Sequence, residues 1–318
     1  MLQYQRTSKF WQRVRSMKFK EMRKTANGQE RASVTLQELK TLWFNTGTLC
    51  NLKCENCYIE SSPTNDKLSF LTMLEVKAVL ADVSSVETKV IGLTGGEPFL
   101  NPEIIDILHL CLSSGYEVLV LTNANRVIKR HEESLLKLLS QFGHKLQIRV
   151  SLDHYSKEIH EKERGPLTFD RTLNQVKWLY DRGFNISIAS RSLGDETEEQ
   201  ALKGHEELLN QHRISIDTTR SLVIFPEMES GKDVPEITIH CWDILNKKPE
   251  HQMCATERMI VKRKGDESIS VMPCTLLAYD DKFVLGKNIK EAEKKVYLNH
   301  KFCAEFCVLG GASCSSTA

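Results

Sequence analysis

Apolar residues along this chain recur in two alternating rhythms. TLWFNTG (41–47), KVIGLTG (89–95), EVLVLTN (117–123), LQIRVSLD (146–153) and FNISIAS (184–190) are runs dense in apolar and β-branched residues. They read as strands buried on both faces. Between them lie LTMLEVKAVLADV (71–83), PEIIDILHLCLSSG (102–115), ESLLKLLSQFG (133–143) and FDRTLNQVKWLYDRG (169–183), with apolar positions three and four apart. These read as helices, three of them closed by the glycine that commonly ends one. A helix over 196–212 and a sixth strand within 214–225 complete the series. Apolar strands alternating with helices predict an α/β fold with a parallel sheet, and six βα units suit a closed or partly closed barrel.

The rhythm stops near residue 226. RMIVKRKGDESISVMPC (258–274) reads as two short strands about a KGDES turn, a hairpin followed by a Cys-rich tail. Three regions are expected: an extension over 1–40, the barrel over 41–225, and a small module over 226–318. A module of that size has little core of its own, and a metal would supply its missing stability. The extension carries eight Lys or Arg and one acid within its first 27 residues, with Phe10, Trp11, Val14 and Met17 at helical spacing. A helix packed on the domain with a basic face in solvent is expected; a membrane-surface helix or a transit peptide is the alternative.

Composition narrows the function class. The chain has 318 residues, 27% charged and 41% hydrophobic, with a net charge of +1. That balance is globular and offers no electrostatic argument for nucleic acid. No stretch approaches 18 consecutive apolar residues, and the polar, basic start has no apolar signal core, so neither a transmembrane helix nor secretion is expected. Ten cysteines in such a chain point to a reducing, cytoplasmic setting, where clustered cysteines bind metal or do redox chemistry. Eight of the ten fall in two groups, Cys50–Cys54–Cys57 and Cys254–Cys274–Cys303–Cys307–Cys314. Cys111, inside IIDILHLCL, is expected as a buried helix residue.

In parallel α/β barrels reactive groups gather at the carboxyl ends of strands. The first predicted strand runs into TLCNLKCENCY, in which Cys50, Cys54 and Cys57 are spaced C-x3-C-x2-C. The second ends in Gly95-Gly96-Glu97-Pro98, the third in Thr122-Asn123, the fourth in Ser151-Leu152-Asp153 and the fifth in Ser190-Arg191. Two glycines let backbone approach a ligand closely, and Glu97 can accept from an ammonium. Three thiolates can hold a zinc with a fourth ligand from elsewhere, or three irons of a [4Fe–4S] cube with the fourth iron open.

C-x3-C-x2-C followed by GGEP, TN (122–123), SLD (151–153) and E-x2-RG (161–165) resembles the radical S-adenosylmethionine superfamily over about residues 41–225. The resemblance implies a partial (β/α)6 barrel. It implies that Cys50, Cys54 and Cys57 ligate a site-differentiated [4Fe–4S] cluster whose open iron is chelated by S-adenosylmethionine. Gly95, Gly96 and Glu97 would bind the methionine ammonium, Thr122 and Ser151 would lie near ribose and carboxylate, and Ser190 and Arg191 near the cofactor. The family's aromatic residue before the third cysteine is here Asn56, with Tyr58 just beyond. The tail resembles SPASM or twitch domains, with one auxiliary [4Fe–4S] cluster on Cys254, Cys274, Cys303 and Cys307, and with Cys314 as a spare or a substitute.

The activity implied is reductive cleavage of S-adenosylmethionine and removal of a hydrogen atom from substrate, with no catalytic residue beyond cluster and cofactor. An auxiliary cluster favours a net oxidation or cross-link. An electron donor such as a flavodoxin or ferredoxin is expected. The 40 residues before the first strand are too few for the family's winged peptide-binding domain, so a short peptide and a small metabolite are both open. The rival reading is a zinc-binding interaction module that is not an enzyme.

Overall fold

The computed structural model describes residues 17–83, 88–193, 196–228 and 231–315. Phe10, Trp11 and Val14 of the expected amino-terminal helix lie outside the described residues, and Met17 is exposed.

Six strands fall where the apolar runs placed them, after a short β1 Ser33–Val34 that no apolar run announced: β2 Thr41–Asn45, β3 Val90–Thr94, β4 Glu117–Thr122, β5 Leu146–Ser151, β6 Asn185–Arg191 and β7 Leu222–Phe225. From β2 to β7 each strand pairs in parallel with the next, Thr41 opposite Val90 at one end of the series and Arg191 opposite Phe225 at the other. The helices between them are α1 Met73–Val83, α2 Ile104–Ser113, α3 Glu132–Phe142, the pair α4 Lys157–Arg164 and α5 Thr168–Asp181, and α6 Glu198–Gln211. Each apolar stripe faces the sheet; α2 buries Ile104, Ile107, Leu108, Cys111 and Leu112, which places Cys111 as its context predicts.

Strand order through the parallel strands runs β7-β6-β5-β4-β3-β2. Over the six parallel strands it never reverses, so there is no switch point of the doubly wound kind; every crossover steps the same way, as in a barrel. The inner face holds large side chains. Trp43 projects against Gly92, where a Cβ would lie 2.2 Å from the indole, and Trp43 Nε1 donates to Glu257 at 2.5 Å.

The carboxyl-terminal hairpin, β8 Glu257–Val261 and β9 Ser270–Met272, adds to this sheet. β8 pairs in parallel with β2, Thr41 opposite Glu257. The core is continuous from Ala32 to Cys314, so residues beyond 226 share it. β10 Val296–Tyr297 pairs with β1, tying the amino-terminal segment to the tail.

Candidate active site

The loop after β2 carries Cys50, Cys54 and Cys57, and all three line one open cleft. The loop is pinned from both sides. Cys50 N donates to Ser62 O at 3.1 Å, and Leu49 bridges to Ser62. Leu52 N and Asn123 Nδ2 donate to Cys50 Sγ at 3.4 and 3.6 Å, and Ser61 N donates to Cys57 Sγ at 3.3 Å. Burial pushes the Cys50 thiol up to about 12, so a metal binding here displaces its proton. N–H groups aimed at the sulfurs suit thiolates that ligate iron. Among the described residues no three His, Cys, Asp or Glu side chains converge on a point that a single metal ion could occupy; the three sulfurs instead border an open cleft.

The Gly95–Gly96 turn packs on this loop. A Cβ on Gly96 would lie 2.1 Å from Leu49 O, and Gly95 holds φ +143 with Gly47 O 2.4 Å from any Cβ. Only glycine permits that approach. Gly96 N donates to Gly47 O and Glu97 N to Leu49 O, so the amides are spent inside the protein. The carbonyls of Gly95 and Gly96 accept no hydrogen bond among the described residues, and both glycines line the cleft.

Glu97 departs from the sequence expectation. Its carboxylate is 1% exposed and does not border the cleft. It accepts from Thr122 Oγ1 at 2.8 Å, Asn123 N at 2.9 Å and Phe99 N at 3.2 Å. Desolvation nevertheless pushes it up to about 7. Glu97 joins the β3 turn to the end of β4 and, through Asn123, to Cys50; it is no open acceptor for a cofactor ammonium.

The other expected cofactor residues, Gly95, Gly96, Thr122, Ser151, Ser190 and Arg191, all border the cleft with the three cysteines. Ser190 Oγ donates to Asp153 O at 2.9 Å. Asp153 also accepts a bidentate pair from Arg164, Nε at 2.8 Å and Nη2 at 2.7 Å, which with Arg191 holds its carboxyl below the usual range against the opposing pull of burial. Arg191 Nη1 donates to Glu163 at 3.3 Å. Glu163 O accepts from Glu55 N at 2.9 Å, and its carboxylate accepts from Asn56 Nδ2 at 3.0 Å. The end of α4 thus grips the loop between Cys54 and Cys57. Asn56 is occupied by that grip, while Tyr58 borders the cleft, its ring 4.9 Å from Arg191 Cζ and its hydroxyl donating to Pro226 O at 3.1 Å.

Sequence reasoning passed over Arg149, Thr275 and Leu276, which border the cleft, and considered Cys314, which borders it too, only as a spare or substitute in the auxiliary group. Arg149 lies two residues before Ser151 on β5 and so shares its inward face, a signal that strand periodicity carried. Arg149 Nη1 donates to Cys314 O at 2.8 Å, and Ser313 and Ser315 both donate to Glu257. The tail therefore runs into the barrel. Nothing local in residues 311–315 announces that course.

Cys254, Cys274, Cys303 and Cys307 also gather. The hairpin brings its two ends together, Cys254 just before β8 and Cys274 just after β9, and Cys303 and Cys307 lie on one π-helical turn, Cys303–Leu309. Burial raises all four thiols, and Cys307 feels Cys274, Cys303 and Cys254 in turn. Cys314 Sγ instead accepts from Thr275 Oγ1 at 3.0 Å. Arg258 is fully buried beside this group, and its Nη2 has no partner among the described residues. A buried guanidinium with one unpaired nitrogen, acted on by Cys254 and Cys274, fits an anionic cluster.

Comparisons with known proteins agree with this geometry. A family model described as the radical SAM superfamily matches residues 44–209. The antilisterial bacteriocin subtilosin biosynthesis protein AlbA of Bacillus subtilis (strain 168) is 32% identical over 141 residues, 44% of this chain and 30% of that protein. An AdoMet-dependent heme synthase of Methanosarcina barkeri (strain Fusaro / DSM 804) is 29% identical over 154 residues, 47% of this chain and 42% of that protein. The matched stretch spans less than half of either relative. Among solved structures, Streptococcus suis SuiB bound to S-adenosylmethionine superposes with a TM-score of 0.58 at 13% identity, over 78% of this chain and 63% of that one. That likeness is one of fold, a partial α/β barrel.

Proposed function

The chain belongs to the radical SAM superfamily, and from that premise we propose that it is an enzyme that takes a hydrogen atom from a short peptide or a small metabolite. The observation that carries this reading is the single cleft shared by Cys50, Cys54, Cys57 and six residues expected to hold the cofactor. When bound, a [4Fe–4S] cluster and S-adenosylmethionine supply the radical chemistry, by one-electron reductive cleavage of the sulfonium to methionine and a 5′-deoxyadenosyl radical.

The chain's own residues bind, orient and exclude water. Cys50, Cys54 and Cys57 would hold three irons. The free carbonyls of Gly95 and Gly96 would accept from the ammonium, which leaves to the two glycines the role expected of Gly95, Gly96 and Glu97 together. Ser151 and Arg191 would face the carboxylate and ribose, and Tyr58 offers the aromatic surface that Asn56 does not. Phe225 and Leu276 form apolar wall, which limits water at the reacting carbon.

Cys254, Cys274, Cys303 and Cys307 would hold one auxiliary cluster, and residues 226–318 would serve as its domain. A net oxidation follows if that cluster accepts the electron left on the substrate. A peptide is the class we favour, because AlbA acts in bacteriocin biosynthesis; the heme synthase keeps a small metabolite as the second reading.

The test is an anaerobic reaction of reduced protein with S-adenosylmethionine, read by mass spectrometry for 5′-deoxyadenosine. Two cubes require about eight irons per chain. Changing Cys50, Cys54 and Cys57 together to Ala should remove about half the iron and abolish cleavage. Cleavage by that triple variant refutes the assignment, and a colourless protein with stoichiometric zinc favours the binding-module reading.

A further inference from the structure

β8 is buried along its whole length, yet its sequence is ERMIV. Successive strand residues face opposite sides. Glu257 faces into the barrel, where Trp43 Nε1, Ser313 Oγ and Ser315 Oγ donate to it. Arg258 faces the other way, with no exposed surface. Its neighbour in sequence therefore cannot neutralise it.

The guanidinium is anchored by carbonyls alone. Nη1 donates to Cys254 O and to Glu257 O, each at 2.7 Å, and Nε donates to Ala292 O at 2.9 Å. Among the described residues every hydrogen-bond partner of Arg258 is a backbone carbonyl, and Nη2 has no partner. A buried arginine with neither a carboxylate nor a full set of acceptors is strongly unfavourable unless an anion completes the site. The groups nearest to being that anion are Cys254, whose carbonyl the guanidinium already grips, and Cys274, both of which act electrostatically on its charge. Four thiolates around an iron–sulfur cube carry net negative charge, and hydrogen bonds to its sulfurs help set its reduction potential.

We infer that Arg258 is the counter-cation of the auxiliary cluster, with Nη2–H donating to a cluster or cysteine sulfur and raising the potential at which that cluster takes up an electron. The inference rests on the proposed auxiliary cluster. It gives the cluster a direction: a positive charge held beside it favours the reduced form, which suits an acceptor of the electron left on a substrate radical. Fixed in place by three carbonyls, the cation needs no rearrangement as the cluster charge changes.

The test uses full-length, anaerobically reconstituted protein as wild type, Arg258→Lys and Arg258→Gln. Potentiometric titration followed by electron paramagnetic resonance gives both midpoints, the site cluster being recognised by its response to added S-adenosylmethionine. Arg258→Gln should lower the auxiliary midpoint, Arg258→Lys should hold it near wild type, and the site-cluster midpoint should stay fixed in all three. An unchanged auxiliary midpoint in a fully iron-loaded Gln variant overturns the inference. If the Gln variant loses the auxiliary iron, the Lys variant decides: retention with the wild-type midpoint supports a charge role, and loss shows that Arg258 only caps Cys254, Glu257 and Ala292. Wild-type protein with zinc, or with one cluster, refutes the auxiliary-cluster reading itself, an outcome distinct from these.

Discussion

Burying a carboxylate near thiols is unfavourable unless donors surround it, and Glu97 collects three: the Thr122 hydroxyl and the amides of Asn123 and Phe99. Asn123 in turn donates to Cys50 Sγ and to Asn51 Oδ1. The role of Glu97 is therefore to place the cysteine loop. Glu97→Gln keeps the shape but turns an NH2 toward one of those donors. The expected loss is about 1–3 kcal/mol of stability, the range for one hydrogen bond to a buried, partly charged group. Urea denaturation of the metal-free protein measures it. Once iron is loaded, affinity for S-adenosylmethionine should be close to wild type. A large drop in that affinity with stability unchanged would return the carboxylate to the cofactor. The sequence showed the GGEP turn but not the inward course of its acid, because a side chain's direction in an irregular turn depends on partners that are distant along the chain.

The strands and most helices were legible as elements, since β2 to β7 are apolar on both faces and the longer helices carry a clear stripe. α4 was not. Its sequence KEIHEKER has three charged residues for every apolar or aromatic one, and it gives no stripe to read. It is held by what it grips: Glu163 takes Asn56 and Arg191, and Arg164 takes Asp153. The E-x2-RG motif was visible, but its helical setting was not. α4 also buries His160, whose two ring nitrogens have no partner among the described residues and whose ring meets Phe169 edge-on at 5.5 Å. Burial pushes this imidazole down to about 3. A histidine depressed in the folded state contributes stability that is whole above its ordinary value near 6.5 and is lost as pH falls toward 3. The slope is about 1.4 kcal/mol per pH unit inside that window. His160→Leu removes this part of the acid sensitivity and the unsatisfied ring nitrogens together. Its stability should fall less than that of wild type between pH 7.5 and pH 5, by urea denaturation at each pH. Parallel losses in the two proteins would remove His160 from the acid limb.

Across the whole molecule, Cys50 and Cys254 lie at opposite ends of two paired strands. Cys50 follows the carboxyl end of β2, whereas Cys254 precedes β8, whose first residue sits beside the first residue of β2. Five residues of strand separate those ends by about 15 Å, and the cleft spans the interval from Cys50 to Thr275 and Cys314. The sequence suggested a tail that would need metal to fold. Instead β8 borrows the barrel sheet, its four pairings with β2 lending the hairpin a core that its own length could not supply. That juxtaposition joins residues more than two hundred positions apart, which no local pattern encodes. In metal-free protein the amides of β8 should exchange with deuterium about as slowly as those of β2. Free exchange in β8 alone would show that the cluster, not the sheet, holds the hairpin. The same continuity makes the two sites separable. Cys254→Ala with Cys274→Ala should lose the auxiliary iron while the barrel, the site cluster and slow uncoupled formation of 5′-deoxyadenosine persist. Turnover of the true substrate should stop, because the electron left after hydrogen removal has no acceptor within the protein. Both products are measured in one anaerobic reaction. Normal substrate turnover by the double variant would leave the auxiliary cluster without a catalytic part and make the net reaction redox-neutral.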